Sequence, residues 1–137
     1  MIGDGLAIPV PDASQDAMTI AFGIRNMADR SAALAEFRRV LRPNGRLHIL
    51  EFSQPWRGFA PFYFAYLRWV APRVAGWITG VPSAYDYLGD SIRDFPDHAA
   101  MRRELSDAGF ESVGILRMTM GIVALHSGRK PGAQVTA

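Results

Sequence analysis

The run from Arg39 to Ser53 limits the folds open to this chain more than any other stretch. Upstream of it, Leu34, Phe37, Val40 and Leu41 recur at three- and four-residue steps, which predicts a helix with one apolar face. Pro43-Asn44-Gly45 then stops that helix. Pro43 lacks the amide needed to extend the ladder, and Gly45 tolerates a positive φ, so the spacing predicts a sharp helix-to-strand turn. Leu47 to Phe52 has a strand's length and an apolar density suited to cover on both faces. Glu51 and Ser53 would stand at its carboxyl end, where open α/β sheets bind ligands.

The segment before the helix completes a unit. Met1 to Asp16, with Gly3-Asp4-Gly5 and two prolines, reads as loop. Ala17 to Phe22 is a short, nearly uncharged run bounded by Asp16 and Gly23, expected as a buried parallel strand. Its end runs into Gly23-Ile24-Arg25-Asn26, a turn that would bring Arg25 and Asn26 to the same edge as Glu51. Asp29 or Ser31 is expected to cap the helix. Strand, helix and strand in this order form a βαβ unit of a doubly wound sheet.

Downstream, aromatics crowd between Trp56 and Tyr87. Phe59, Tyr63, Tyr66, Leu67 and Val70 fit one helix face, with Phe62, Phe64 and Trp69 spread around the rest. Ser83 to Phe95 carries Tyr85, Leu88, Ile92 and Phe95 at helical spacing. Asp97 is expected to cap a further helix with Met101, Leu105 and Ala108 inward and Gly109 as its stop. Ser112 to Met118 and Met120 to Ser127 are expected as an antiparallel hairpin at the sheet edge.

Composition sets outer bounds. A chain of 137 residues with 49% hydrophobic content suits one domain, residues 1–130, with a short polar tail expected to be disordered over residues 131–137. A formal charge of +2 makes no electrostatic case for nucleic acid. Without cysteine there are no disulfides, thiolate metal sites or cysteine nucleophile. No histidine spacing suits a metal either. His126 falls late in the last strand, near the edge of a ligand crevice, while His48 and His98 read as surface residues. The most apolar window, Phe59 to Val81, is broken by Pro61, Arg68, Pro72 and Arg73, too often for a bilayer span.

Five collinear blocks carry a resemblance. Arg39-Val40-Leu41-Arg42-Pro43-Asn44-Gly45 through Glu51-Phe52-Ser53 is similar to the R-V-aliphatic-K-P-G-G…E-x-S signature of the UbiE-type C-methyltransferases of ubiquinone and menaquinone biosynthesis. Gly3-Asp4-Gly5 to Asp12 with Asp16, Ile20 to Asn26, Tyr85 to Asp97 and Gly121 to His126 match further blocks, so the likeness runs from Gly3 to about Lys130. It implies a Rossmann-like class I fold, α/β with parallel strands plus the C-terminal hairpin, using S-adenosylmethionine. It also implies that the family's glycine-rich first strand turn and its ribose-binding acid lie outside this sequence. The chain is therefore expected to be N-terminally incomplete, or else a short noncatalytic paralogue that binds quinone or scaffolds the pathway.

The resemblance assigns roles. Asp4 would accept from the adenine amino group and Gly5 would meet the ring edge, unless Asp4 serves only its turn; Ala21 would line the cofactor through its backbone. Methylating a quinol carbon needs a fixed donor for the ring oxygen, which points to Arg25; arginine cannot serve as the base. Tyr85 joins Arg25 as a catalytic candidate because its helical phase faces inward. Asn26, Glu51 and Tyr87 are the substrate-binding candidates, although Glu51 also reads as a salt-bridge partner. A prenylated benzoquinol or naphthoquinol is the implied substrate, with no metal. Trp56, Arg57, Arg68, Trp69 and Arg73 would lie at a membrane interface. A cytoplasmic enzyme, peripheral on the inner face of the membrane, follows, with a homodimer or a quinone-biosynthesis complex left open as assembly.

Overall fold

A computed structural model describes residues 4–71, 73 and 91–132. Four strands form one sheet in the order β1-β2-β4-β3: β1 Gln15–Ala21, β2 Leu41–Phe52, β3 Glu111–Met118 and β4 Val123–Arg129. β1 and β2 run parallel, joined by α1 (Arg30–Val40), while β4 pairs antiparallel with both β2 and β3. The βαβ unit and the terminal hairpin therefore stand as expected. α2 (Ala60–Ala65) continues into a π turn at Tyr66–Val70, and α3 (His98–Asp107) precedes the hairpin.

Local chemistry sets the boundaries. Asp29, rather than Ser31, caps α1, its Oδ1 accepting the Ala32 amide at 2.9 Å, and Asp97 caps α3 through the Ala100 amide at 2.7 Å. Gly109, at φ 84°, ends α3. The helix-to-strand turn survives as an irregularity within β2, where Gln15 pairs Leu41 but Ala17 already pairs Arg46. Its positive φ, 66°, falls on Asn44 and not on Gly45. Gly45 is needed for a different reason: a Cβ there would lie 2.8 Å from the Arg42 carbonyl oxygen. The residue after β4 pins this turn. The Asn44 amide donates to the Lys130 carbonyl, the Lys130 amide to that of Gly45, and Lys130 Nζ to that of Leu41 at 2.6 Å.

The core lies between one face of the sheet and α1 with α3. Leu34, Phe37, Leu47, Ile49, Met101 and Leu105 are all buried there, each stabilising by roughly 1.5–3 kcal/mol relative to exposure. Expected cover on both faces of the first two strands is corrected. Within Leu47 to Phe52, Leu47, Ile49 and Glu51 are fully buried, alternating with half-buried His48, Leu50 and Phe52. β1 is mostly exposed, with Met18 and Ile20 half-buried, because among the described residues it has one neighbouring strand and one covered face.

Two further readings change. The π turn alters the helical phase after α2, so Leu67 and Ala71 turn inward while Tyr66 and Val70 face outward. Met120 does not open β4; Thr119, Met120 and Gly121 all take positive φ in a tight turn between the hairpin strands. Ile92 and Phe95 are buried as their spacing predicts. Tyr85, Tyr87, Leu88 and residues 133–137 of the tail lie outside the described residues.

Candidate functional site

The carboxyl ends of β1 and β2 meet at one rim. β1 ends at Ala21, and the next residue, Phe22, turns into the left-handed region at φ 52° while its amide still donates to the Leu50 carbonyl at 2.8 Å. Ile24–Asn26 forms a single 3₁₀ turn, closed by the Asn26 amide on the Gly23 carbonyl. That turn aims Arg25 back across the sheet end at β2.

Arg25 Nη1 lies 2.5 Å from Glu51 Oε1, with the Arg25 side chain 10% exposed and Glu51 fully buried. Glu51 also accepts the Phe52 amide at 3.0 Å and the Arg25 amide at 3.4 Å, so both its oxygens are engaged by the protein. The sequence left Glu51 as a substrate-binding candidate or a salt-bridge partner; its contacts are those of the partner, and they orient Arg25. The guanidinium also lies over the Phe52 ring, 5.1 Å from its centroid. Arg25 Nε is buried without an acceptor among the described residues. A buried, unsatisfied N–H on a locked cation is poised to meet an oxygen.

A cavity of about 300 Å³ opens nearby, walled by Ile8, Ile20, Met27 and Phe37 with Asp4, Gly5 and Thr19 at its lining. Asp4 Oδ1 takes the Leu6 amide at 3.0 Å, and its carbonyl takes the Ala7 amide, so the side chain also builds the turn that carries it. Gly5 packs closely on Met27, whose Cε would lie 2.6 Å from an added Cβ. Met27, in the cavity lining, follows Arg25 by two residues. Ala21 is exposed at the strand end, outside the cavity lining, and Asn26 is exposed on the 3₁₀ turn.

Two residues that hold this site went unread in the sequence. Glu36 and Arg39, one turn apart on α1, clamp the loop that carries Asp4 and Gly5. Glu36 Oε1 accepts the Ile8 amide at 2.7 Å, and Arg39 donates to the carbonyls of Ile8 and Val10 and to Asp12. The hydrogen bonds from Arg39, then that from Ile8, outweigh desolvation and hold the Glu36 carboxyl down at about 2. The i, i+3 spacing of acid and base was visible; its loop partners were not. His126 is 1% exposed on β4 opposite Ile49, with neither ring nitrogen bonded among the described residues; burial, then nearby His98, pushes its pKa down to about 4.

A parallel βαβ pair closed by an antiparallel hairpin, with its polar rim at the strand ends, is an α/β Rossmann-like arrangement, and it is shared with class I S-adenosylmethionine-dependent methyltransferases. Solved structures agree at that level. A methyltransferase of this kind from Thermotoga maritima superposes with a TM-score of 0.65 at 16% identity, over 93% of this chain and 62% of its own. One from Aquifex aeolicus gives 0.59 at 18% identity, over 94% and 53%. Residues 1–130 match the ubiE/COQ5 methyltransferase family, and the chain belongs to that family. It is 48% identical to the demethylmenaquinone methyltransferase of Mycobacterium tuberculosis over 96% of this chain and 57% of that relative. The enzymes of the same name from Mycobacterium marinum and Corynebacterium urealyticum are 49% and 47% identical, over 94% and 93% of this chain and 56% of each relative. The chain thus spans a little over half the length of the relatives it matches.

Proposed function

We propose that this chain takes part in S-adenosylmethionine-dependent C-methylation of a prenylated naphthoquinol. Of the two rings left open by the sequence, the naphthoquinol is favoured by the relatives, which carry the name demethylmenaquinone methyltransferase. The observation that carries the reading is Arg25, locked by Glu51 at the strand end with a buried donor unspent.

The cavity suits the adenine end of the cofactor, since its walls are apolar and its one carboxylate, Asp4, stands at the lining. Asp4, Gly5 and the Ala21 backbone would hold that group, which supplies an electrophilic methyl on a sulfonium. The chain's own residues do the rest. A ring hydroxyl that accepts from Arg25 loses its proton more easily, because a fixed cation in a partly dry site stabilises the oxyanion. With that hydroxyl proton passed to water, the negative charge would feed the neighbouring ring carbon, which would take the methyl as its bond to sulfur breaks and the neutral thioether leaves; the ring carbon then gives its own proton to water and aromaticity returns. Asn26 flanks this position, and positioning with exclusion of water are the main contributions.

Aromatic surface supports a membrane-facing role for the same protein. Trp56, Phe62, Tyr66 and Trp69 are all exposed, and Arg68 and Arg73 stack on Trp69 at 5.6 and 5.8 Å. Rings and arginines in this mixture suit a lipid interface, where a prenyl tail resides. No helix among the described residues is long and apolar enough to cross a membrane.

The test is direct. Millimolar S-adenosylmethionine should raise the melting temperature, since a ligand at a hundred times its Kd stabilises by about 2.7 kcal/mol. Labelled methyl should pass to a short-chain demethylmenaquinol, and Arg25→Lys should depress kcat. Absence of any thermal shift, with binding of the quinol retained, would replace this reading by that of a noncatalytic quinone-binding protein.

A further inference from the structure

Phe22 holds a conformation its side chain disfavours. A bulky aromatic at φ 52° is a genuine outlier, and such outliers persist where surrounding structure imposes them, often at sites of function. Burial does not explain the residue, because Phe22 is 40% exposed. Its ring leans on Phe52 at 4.9 Å between centroids and 47° between planes, and the other neighbour of Phe52 is the Arg25 guanidinium. Beyond Phe52 the apolar surface continues to Tyr63 and Phe64. One rim therefore presents an accessible aromatic face, a buried N–H without an acceptor on Arg25 Nε, and a greasy path leading away.

Resting on the naphthoquinol reading above, we infer that Phe22 is the ring-binding residue of the site. Its exposed face stacks on the flat ring of an aromatic diol, one ring oxygen accepts from the Arg25 guanidinium, and the aliphatic tail leaves across Phe52 toward Tyr63. The left-handed turn serves this arrangement by swinging the Phe22 ring out of the strand's alternation and over the rim. Stacking of this kind selects for a π face, which a saturated ring of the same outline lacks.

The experiment titrates the chain, free of oxygen, with 1,4-dihydroxynaphthalene and with its saturated counterpart, decahydronaphthalene-1,4-diol, by calorimetry. The unsubstituted chain should prefer the aromatic diol. Phe22→Leu, and Phe22→Asn, which tolerates the positive φ, should each weaken that diol roughly five- to tenfold and leave the saturated one unchanged, whereas Phe22→Tyr should stay within about twofold. Contacts in nuclear Overhauser spectra between Phe22 ring protons and the bound diol give a readout independent of any variant. Aromatic-diol affinity unchanged in the Leu or Asn variant, or contacts absent from Phe22, would overturn the assignment alone. Failure of the unsubstituted chain to bind either diol would overturn the naphthoquinol reading with it.

Discussion

Removing the Glu51 carboxylate should be among the most damaging single changes in this chain. In Glu51→Ala the Arg25 guanidinium, nine-tenths buried, loses its 2.5 Å partner and keeps a 3.4 Å contact to the Phe22 carbonyl and its place over the Phe52 ring, while the Phe52 amide loses its acceptor. A charge-assisted hydrogen bond of about 1.5–3 kcal/mol and an orphaned backbone donor of about 1–2 kcal/mol sum to roughly 3–5 kcal/mol, the range known for breaking one side of a buried pair. At this chain length that lowers Tm by roughly 10–20 °C. Glu51→Gln keeps an oxygen for Nη1 and the Phe52 amide but loses the charge and sets an amide NH₂ against the Arg25 N–H, so about half that loss is expected. Urea unfolding followed by circular dichroism measures each change. The double variant Arg25→Met/Glu51→Met decides the cause: replacing both partners should destabilise less than the single changes sum to, with a coupling of about 2 kcal/mol. Coupling below about 0.5 kcal/mol would refute the claim that Glu51 acts through Arg25.

Four other changes have outcomes fixed by the geometry. Stability should fall as the pH drops from about 6.5 to about 4, because the unfolded chain protonates His126 in that window while the folded one resists; the loss is at most about 3 kcal/mol, and His126→Leu should flatten that part of a Tm-against-pH curve. Glu36, held at about 2 when folded, extends the decline below its ordinary 4.5, so Glu36→Gln should remove the acid-most limb. Arg39→Ala frees the loop bearing Asp4 and Gly5 and should weaken S-adenosylmethionine about tenfold by calorimetry with little change in far-UV dichroism, since ordering of the loop is then charged to binding. Gly45→Ala places a Cβ 2.8 Å from one carbonyl oxygen and 3.2 Å from that of Asp16, both backbone, and should cost about 1–3 kcal/mol in urea unfolding.

The α/β architecture was legible because it is written in periodicity and in a handful of stop signals. Leu34, Phe37 and Val40 announced α1, Asp97 and Gly109 bracketed α3, and the short apolar runs gave the strands in their right order. Burial was harder to read. The density of Leu47 to Phe52 fits a strand covered twice as well as one covered once, and only neighbours distant in sequence separate the two cases. Phase failed after Ala65 because a π turn leaves no compositional mark. In the site, the adjacency of Arg25 and Glu51 followed from two parallel strands ending together. The clamp of Glu36 and Arg39 and the strained Phe22 depend on contacts between segments tens of residues apart, which single residues do not advertise.

The staple at Lys130 bears on how this chain comes to be folded at all. Lys130 Nζ reaches a carbonyl 89 residues earlier, and its main chain brackets the turn where α1 becomes β2. On a ribosome emitting the polypeptide from its amino end, α1 can coil early, but the joint behind it stays unlatched until Lys130 has emerged. Closure of this joint thus waits on a segment far along the chain, and the pairing of β2 with β4 waits with it.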